Sequence, residues 1–374
     1  MPRAVLALAL LAAVPSSADA APDAAGPLGG GTPGPIRQLF LDPALADARG
    51  QDRASFSARL ESANSWSAPC VFVRGGRAAV VQLDDQADAL ALALHLPWTL
   101  WRPGGWRERV STSVRWRGTA FWGGFEDGGI EAWHHLVGAY NFSRQLYGRD
   151  AIHLRLTDLG GARAFDLESG RLAWGDLAIG TQVRLADGGA SLLPDAAAGT
   201  ARWALAARLE LKLPTGSLSR VGGSGHPDAG LVLLATRELA PWAVVHGMLF
   251  GTITAPLASP VALQPRRFHG GIDLSVALLG WGFTFLLEDR WLTPLMEEGW
   301  RAVDGGDDDL FLSSAYNALL RSHNQISFGL RRGPFTLAFS EDFTLGSNPR
   351  ARRTWFFSSN APDTVLAVTF TAPL

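Results

Sequence analysis

The chain has 374 residues, a formal net charge of -2, 47% hydrophobic and 10% aromatic residues, forty-two glycines and fourteen tryptophans. The near-neutral balance gives no grounds for a nucleic-acid partner, which calls for a clustered basic excess. With Cys70 as the single cysteine, no intrachain disulfide can form, so stability has to come from another source.

The chain opens with Arg3, an apolar run from Ala4 to Val14, and Ala18-Asp19-Ala20, small residues at the positions a signal peptidase inspects. Residues 1–20 read as a cleaved signal for export. The run is too short for a spanning helix, which needs ~20 residues. Residues 21–50, Gly-, Pro- and Ala-rich at the start, read as a flexible lead-in. The remainder, 51–374, reads as one barrel domain.

Strands are predicted at 55–67, 78–96, 106–118, 172–186, 201–213, 229–239, 242–254, 268–278, 281–291, 322–332, 334–344 and 363–371, twelve in all. Segments near ten residues cross a bilayer when tilted, and an even number returns the chain to the side it entered. Ala240-Pro241, Leu279-Gly280 and Gly333 are tight connections, whereas 119–171, 214–228, 255–266, 292–321 and 345–362 are long. Every long link follows an odd strand, the phase of a barrel with periplasmic termini and short periplasmic turns. Links 97–105 and 187–200 are longer than that scheme prefers.

Facing follows the same pattern. Trp203, Leu205, Ala207, Leu209, Leu211 and Leu213 oppose Arg202, Ala204, Ala206, Arg208, Glu210 and Lys212, and in 335–342 the apolar Phe335, Leu337 and Phe339 oppose Thr336, Ser340 and Asp342. On a bilayer-spanning barrel the charged face points inward, because Arg or Lys on the lipid side costs ~2–4 kcal/mol at the midplane. Periodicity alone also fits a soluble sandwich with its charges outward.

The long third connection contains a predicted amphipathic helix over 127–137, with Ile130, Trp133 and Val137 at helical spacing. On it Glu131 and His135 lie four apart, with Asp127 and His134 nearby; two ligands on a helix fall short of a zinc site, so a helix plugging or capping the barrel is expected and no metal is assigned.

Ala63-Asn64-Ser65-Trp66, Gly123-Gly124-Phe125-Glu126-Asp127-Gly128-Gly129-Ile130-Glu131-Ala132-Trp133-His134, Lys212-Leu213-Pro214-Thr215-Gly216, Gly222 to Gly225, Glu341-Asp342 and Ala361-Pro362-Asp363 follow one another in this order. In these segments the chain resembles domain-of-unknown-function family 3187. The resemblance implies a bacterial outer-membrane barrel with no assigned activity. The chain departs from the usual barrel ending: Leu374, not an aromatic, is last, and Thr371-Ala372-Pro373-Leu374 follow Phe370 as an overhang.

Inward parity gives a basic wall of Arg107, Arg109, Arg115 and Arg117 on the third strand, Arg184 on the fourth, and Arg202, Arg208 and Lys212 on the fifth. Asp273, Glu288 and Asp342 lie across the lumen. A transverse field of this kind selects small polar or anionic solutes in a pore. The alternatives are a non-conducting envelope barrel that binds a ligand or partner through its loops, its lumen charges merely pairing, and a barrel enzyme acting on lipid. For the enzyme, Ser224, His226 and Asp228 share a loop, but their spacing matches no nucleophile–base motif, and no catalytic residue is assigned. Gly222-Gly223-Ser224-Gly225 lacks the strand–helix context of a phosphate cradle and reads as a flexible loop, so no cofactor is assigned. The expected partners are outer-membrane lipid, the barrel-assembly machinery and a small polar solute.

Overall fold

A computed structural model describes residues 25–29, 34–100, 105–124, 127–137, 151–193, 200–303, 319–320, 322–343 and 364–374. The signal stretch, the segments 344–363 and 304–318, and Ala361-Pro362-Asp363 lie outside these. Twelve antiparallel strands close into a barrel. They are β1 (Ser55–Arg74), β2 (Arg77–Pro97), β3 (Val110–Trp122), β7 (Leu177–Ala190), β8 (Ala201–Leu213), β9 (Asp228–Ala240), β10 (Ala243–Ile253), β11 (Phe268–Gly280), β12 (Phe283–Leu292), β14 (His323–Arg332), β15 (Phe335–Phe343) and β16 (Thr364–Pro373). Each pairs with the next in this order, and β16 pairs back onto β1 from Ser55–Pro373 to Asn64–Thr364. Closure leaves no free edge among the twelve wall strands, the one arrangement of sheet that hydrocarbon tolerates.

The twelve predicted strands correspond one to one with these, and the tight turns at 241–242, 281–282 and 333–334 fall at one end. Trp281 and Gly282 both take positive φ, 52° and 74°, as a two-residue hairpin turn requires. Two differences sharpen the reading. The final strand runs on to Pro373, so the supposed overhang is the part of β16 that closes the barrel against Ser55–Ser57. The predicted third strand begins too early, since Gly105–Arg109 form a 3-10 turn before β3 starts at Val110.

Side chains sort as a membrane barrel requires. Leu209, Leu231, Leu249 and Leu274 are each more than half exposed on the outward face, whereas Glu210, Asp273, His246 and Arg290 are buried inside. A soluble sandwich has the opposite arrangement, so the apolar band is the lipid-facing surface.

β1 and β2 are 20 and 21 residues long, about twice the other wall strands, and rise beyond the wall at the loop end to a Gly75-Gly76 turn. Above the wall β2 pairs with β4 (His153–Asp158), β4 with β5 (Arg163–Leu167), and β1 with β13 (Arg301–Val303), while β6 (Arg171–Trp174) pairs with β3. Phe72, Val81, Leu83, Leu154, Leu156, Phe165, Leu263, Leu295 and Met296 fill a dry core there, a cap over the loop end. Cys70 is buried in this cap core, in register past a bulge in β1. The predicted helix is present as α1 (Asp127–Val137).

Residues 25–29 and 34–50 are a plug inside the barrel, not a flexible tether. Ala25 and Leu28 pack on Val244, Ala277, Leu286 and Ala338 near the turn end. Ile36, Leu39 and Phe40 join the cap core at the loop end, and Leu45 and Ala48 descend along Ala204, Ala206, Val232, Leu234, Met248 and Phe250. The chain thus climbs the lumen, turns beneath the cap and descends to β1. This segment occupies the lumen.

Candidate functional site: a plugged lumen and its side cavity

The plug has almost no regular structure of its own, so its backbone groups need partners from the wall. Positively charged side chains on the wall capture its carbonyls. Arg331 donates to Gly26 O (2.8 Å) and Pro27 O (3.0 Å), and Lys212 Nζ donates to Leu39 O (2.8 Å). Arg290 donates to Pro43 O (2.7 Å), Arg208 to Ala44 O, and Arg184 Nη1 to Arg49 O (2.9 Å). Acidic groups take its amides: Asp228 accepts from Leu41 N (2.9 Å) and Glu288 from Leu28 N (3.2 Å).

One relay binds both limbs together. His246 Nε2 donates to Ala25 O (2.8 Å), and its Nδ1 lies 3.0 Å from the Thr236 hydroxyl, which accepts from Ala48 N (2.9 Å). The carbonyl can only accept, so the ring carries its proton on Nε2. Near the turn end Arg49 bridges Asp47 (2.6 Å) and Glu238 (2.5 Å).

At the loop end the plug apex meets a buried cluster. Lys212 Nζ lies 2.6 Å from Asp176, 3.2 Å from Asp228 and 2.7 Å from Ser224 Oγ, with every side chain almost fully buried. The loop Gly222–Gly225 folds tightly around this cluster and is not a free loop: Val221 to Ser224 are buried, Ser224 N donates to Leu39 O, and a Cβ at Gly223 would run into the Asp176 carboxylate. Ser224 Oγ donates to the backbone oxygen of His226, whose side chain is exposed, so Ser224, His226 and Asp228 form no nucleophile–base–acid relay.

The predicted basic wall survives in part. Arg115, Arg117, Arg184, Arg202, Arg208 and Lys212 are on wall strands. Arg115, Arg117, Arg208 and Lys212 line one cavity, Arg184 reaches the plug at the turn end, and Arg202 Nε donates to Glu238 O (3.3 Å). Arg107 and Arg109 do not belong to it. Both sit in the 3-10 turn before β3, and Arg109 is exposed at the rim. Asp273, Glu288 and Asp342 are buried on the opposite wall as parity predicts, but the plug lies between the two walls, so no open field crosses the lumen. In α1, Glu131 is half-buried and His135 exposed; the side chains of Asp127 and His134 lie outside the described set.

Between plug and wall remains a cavity of about 380 Å³. It is lined at the turn end by Gly50, Gln51, His95, Gly333 and Pro334, along its length by Arg59, Glu61, Arg115, Arg117 and Arg208, and at the loop end by Asp176, Lys212 and Gly222. Arg59, Arg115, Arg117, Arg208, Lys212 and Arg331 line it against Asp42, Asp47, Glu61 and Asp176, a cationic excess. Sequence reading missed Arg59 and the whole plug. The run Ile36, Leu39, Phe40, Leu41 and Leu45, interspersed with Arg37, Asp42, Asp47 and Arg49, is too apolar for a solvated tether, and that signal was legible.

No family model and no curated protein matches the chain. Among solved structures it is similar to the COG4313 outer membrane channel from Pseudomonas putida F1, at 10% identity and a TM-score of 0.44 over 86% of this chain and 96% of that one. It is similar also to the NanC porin, at 8% identity and a TM-score of 0.37 over 85% and 99%, and to the CymD monoaromatic hydrocarbon channel, at 11% and 0.35 over 87% and 90%.

Proposed function

We propose that the chain is an outer-membrane channel held closed by its own N-terminal segment, a passive route for small polar solutes with a preference for anions. The observation that carries this reading is the side cavity. Its lining extends from the Gly333-Pro334 turn to Asp176 and Gly222 near the cap, and it bears more cationic than acidic side chains. A lumen built only to be filled has no reason to retain a charged space along most of its height.

Further support comes from how the plug is held. Its fastenings are mainly hydrogen bonds to carbonyls and buried ion pairs, contacts that can be exchanged for water or solute, in addition to the apolar packing of its two limbs. In the same proposal the short turns face the periplasm and the capped loop end faces outward. A cleaved signal exports the chain, the barrel-assembly machinery inserts it, and the motif order groups it with family 3187.

Planar-bilayer recording of the refolded mature chain, beside a chain lacking residues 21–50, tests the reading. The full chain is expected to pass small or intermittent current, and the shortened chain a several-fold larger current selective for anions. Heat-modifiable gel migration checks that both fold. A shortened chain that folds and passes no current in any salt overturns the channel and leaves a sealed barrel that acts through its outer surface.

A further inference from the structure

We infer that the side cavity contains an oxyanion station on the β1–β3 wall, formed by Arg59, Arg117 and Arg115, for a small carboxylate or a phosphate. The first observation is a repeated imbalance of charge. Glu61 is shared by two guanidiniums, Arg59 Nε at 2.6 Å and Arg117 Nη2. Glu210 is likewise shared by Arg115 Nη2 at 2.5 Å and Arg208 Nε at 2.7 Å. Each carboxylate is shared by two guanidiniums; Glu288, within electrostatic reach of Arg59, offsets part of the difference, and the remaining surplus on this wall faces the cavity. The plug's Asp42 and Asp47 also face that space, but Arg290 holds the first and Arg49 the second.

The second observation is independent of charge counting. Arg59 Nη1 and Arg117 Nε are both buried and neither has a hydrogen-bond partner. Buried donors in native proteins are nearly all paired, and a guanidinium directs its N–H groups in a fixed fork that matches a carboxylate or phosphate. Each of these two guanidiniums bonds Glu61 and keeps one further buried N–H without an acceptor, and both side chains line the same cavity. An oxyanion supplies both the acceptor atoms and the compensating charge, whereas a neutral solute supplies only the first.

The surrounding wall keeps that space open. Ser57 and Ser113 line it with hydroxyls, and Gly180, opposite Ser113 in register, has no side chain to obstruct it. A Cβ there would lie 3.0 Å from Ser113 Oγ and 3.4 Å from Arg208 Cδ. At about 380 Å³ the cavity is at the small end of ligand sites, suited to an acid of a few carbons or to phosphate.

The inference rests on the cavity being a solute space, as proposed above. Calorimetric titration of succinate, inorganic phosphate and glucose into the full chain in detergent tests it. Saturable binding of at least one anion and none of glucose is expected, and the anion that binds identifies the ligand class. Arg59→Gln with Arg117→Gln should weaken binding at least tenfold. Ser57→Phe, which fills the space and removes no charge, should abolish it, and Arg163→Gln on the exposed cap should leave it unchanged. If the double variant does not fold, Ser57→Phe decides. No saturable anion binding by the folded chain, or binding unchanged by Ser57→Phe, overturns the station. Current through the shortened chain without anion binding removes the station and leaves the channel; binding without current does the reverse.

Discussion

Lys212 holds the plug apex through four partners at once, Leu39 O, Asp176, Asp228 and Ser224. Removing a single partner from a buried ionic cluster leaves uncompensated charge, at a cost of about 3–5 kcal/mol. Lys212→Met is therefore expected to loosen residues 36–41 while the barrel persists, read as faster hydrogen exchange there and unchanged heat-modifiable migration. Unchanged exchange would remove Lys212 from the latch. Gly223→Ala tests the same contact without altering charge. Its methyl would run into the Asp176 carboxylate, an overpacking that costs about 1–3 kcal/mol, so it should lower the unfolding midpoint and accelerate exchange over the same residues. Sequence spacing put Lys212 on the inner face correctly. It could not show that Asp176, Ser224 and Asp228 converge on it, because they approach from two separate stretches of the chain, the link before β7 and the loop leading into β9.

At the scale of elements, what the sequence revealed depended on how regular each element is. The wall strands were legible because alternation and turn chemistry agreed, as in Ala201–Leu213, where each buried position is one that parity predicts to face inward. The third strand misled because Arg107 and Arg109 continue the parity of Arg115 and Arg117 through a 3-10 turn, where alternation no longer determines facing. The cap was illegible for another reason: β4 and β5 are short and acquire their meaning only from pairing with the extension of β2. That extension should be a separable unit of stability. Leu154 is fully buried in the cap core, so Leu154→Ala should cost about 2–5 kcal/mol. Proteolysis is expected to cut the 151–174 region first in this variant, with the detergent-resistant barrel band retained; loss of both together would mean that cap and wall unfold as one.

For the whole molecule, the ambiguity that periodicity left between a sandwich and a membrane barrel was resolved by the closing pair. β16 returns to β1, so the chain has an inside, and the inside carries the charge. Another wall strand can test that conclusion in a way a soluble fold could not mimic. On β9, Leu233 faces outward midway along the strand and is 47% exposed, between Ala207 and Leu249 on its neighbours, while Leu234 faces inward and is packed against the plug. In water, Leu233→Arg on an exposed face would change stability by no more than about 0.5 kcal/mol. At a bilayer midplane the same change costs ~2–4 kcal/mol, since the guanidinium faces hydrocarbon. Refolding into lipid vesicles with a urea titration is expected to show that larger loss for Leu233→Arg, and a loss of about 2–5 kcal/mol for Leu234→Ala through its cavity in the plug interface. A Leu233→Arg chain as stable as the parent would place water outside the barrel, and the inward charges would then need a different explanation from the one lipid provides.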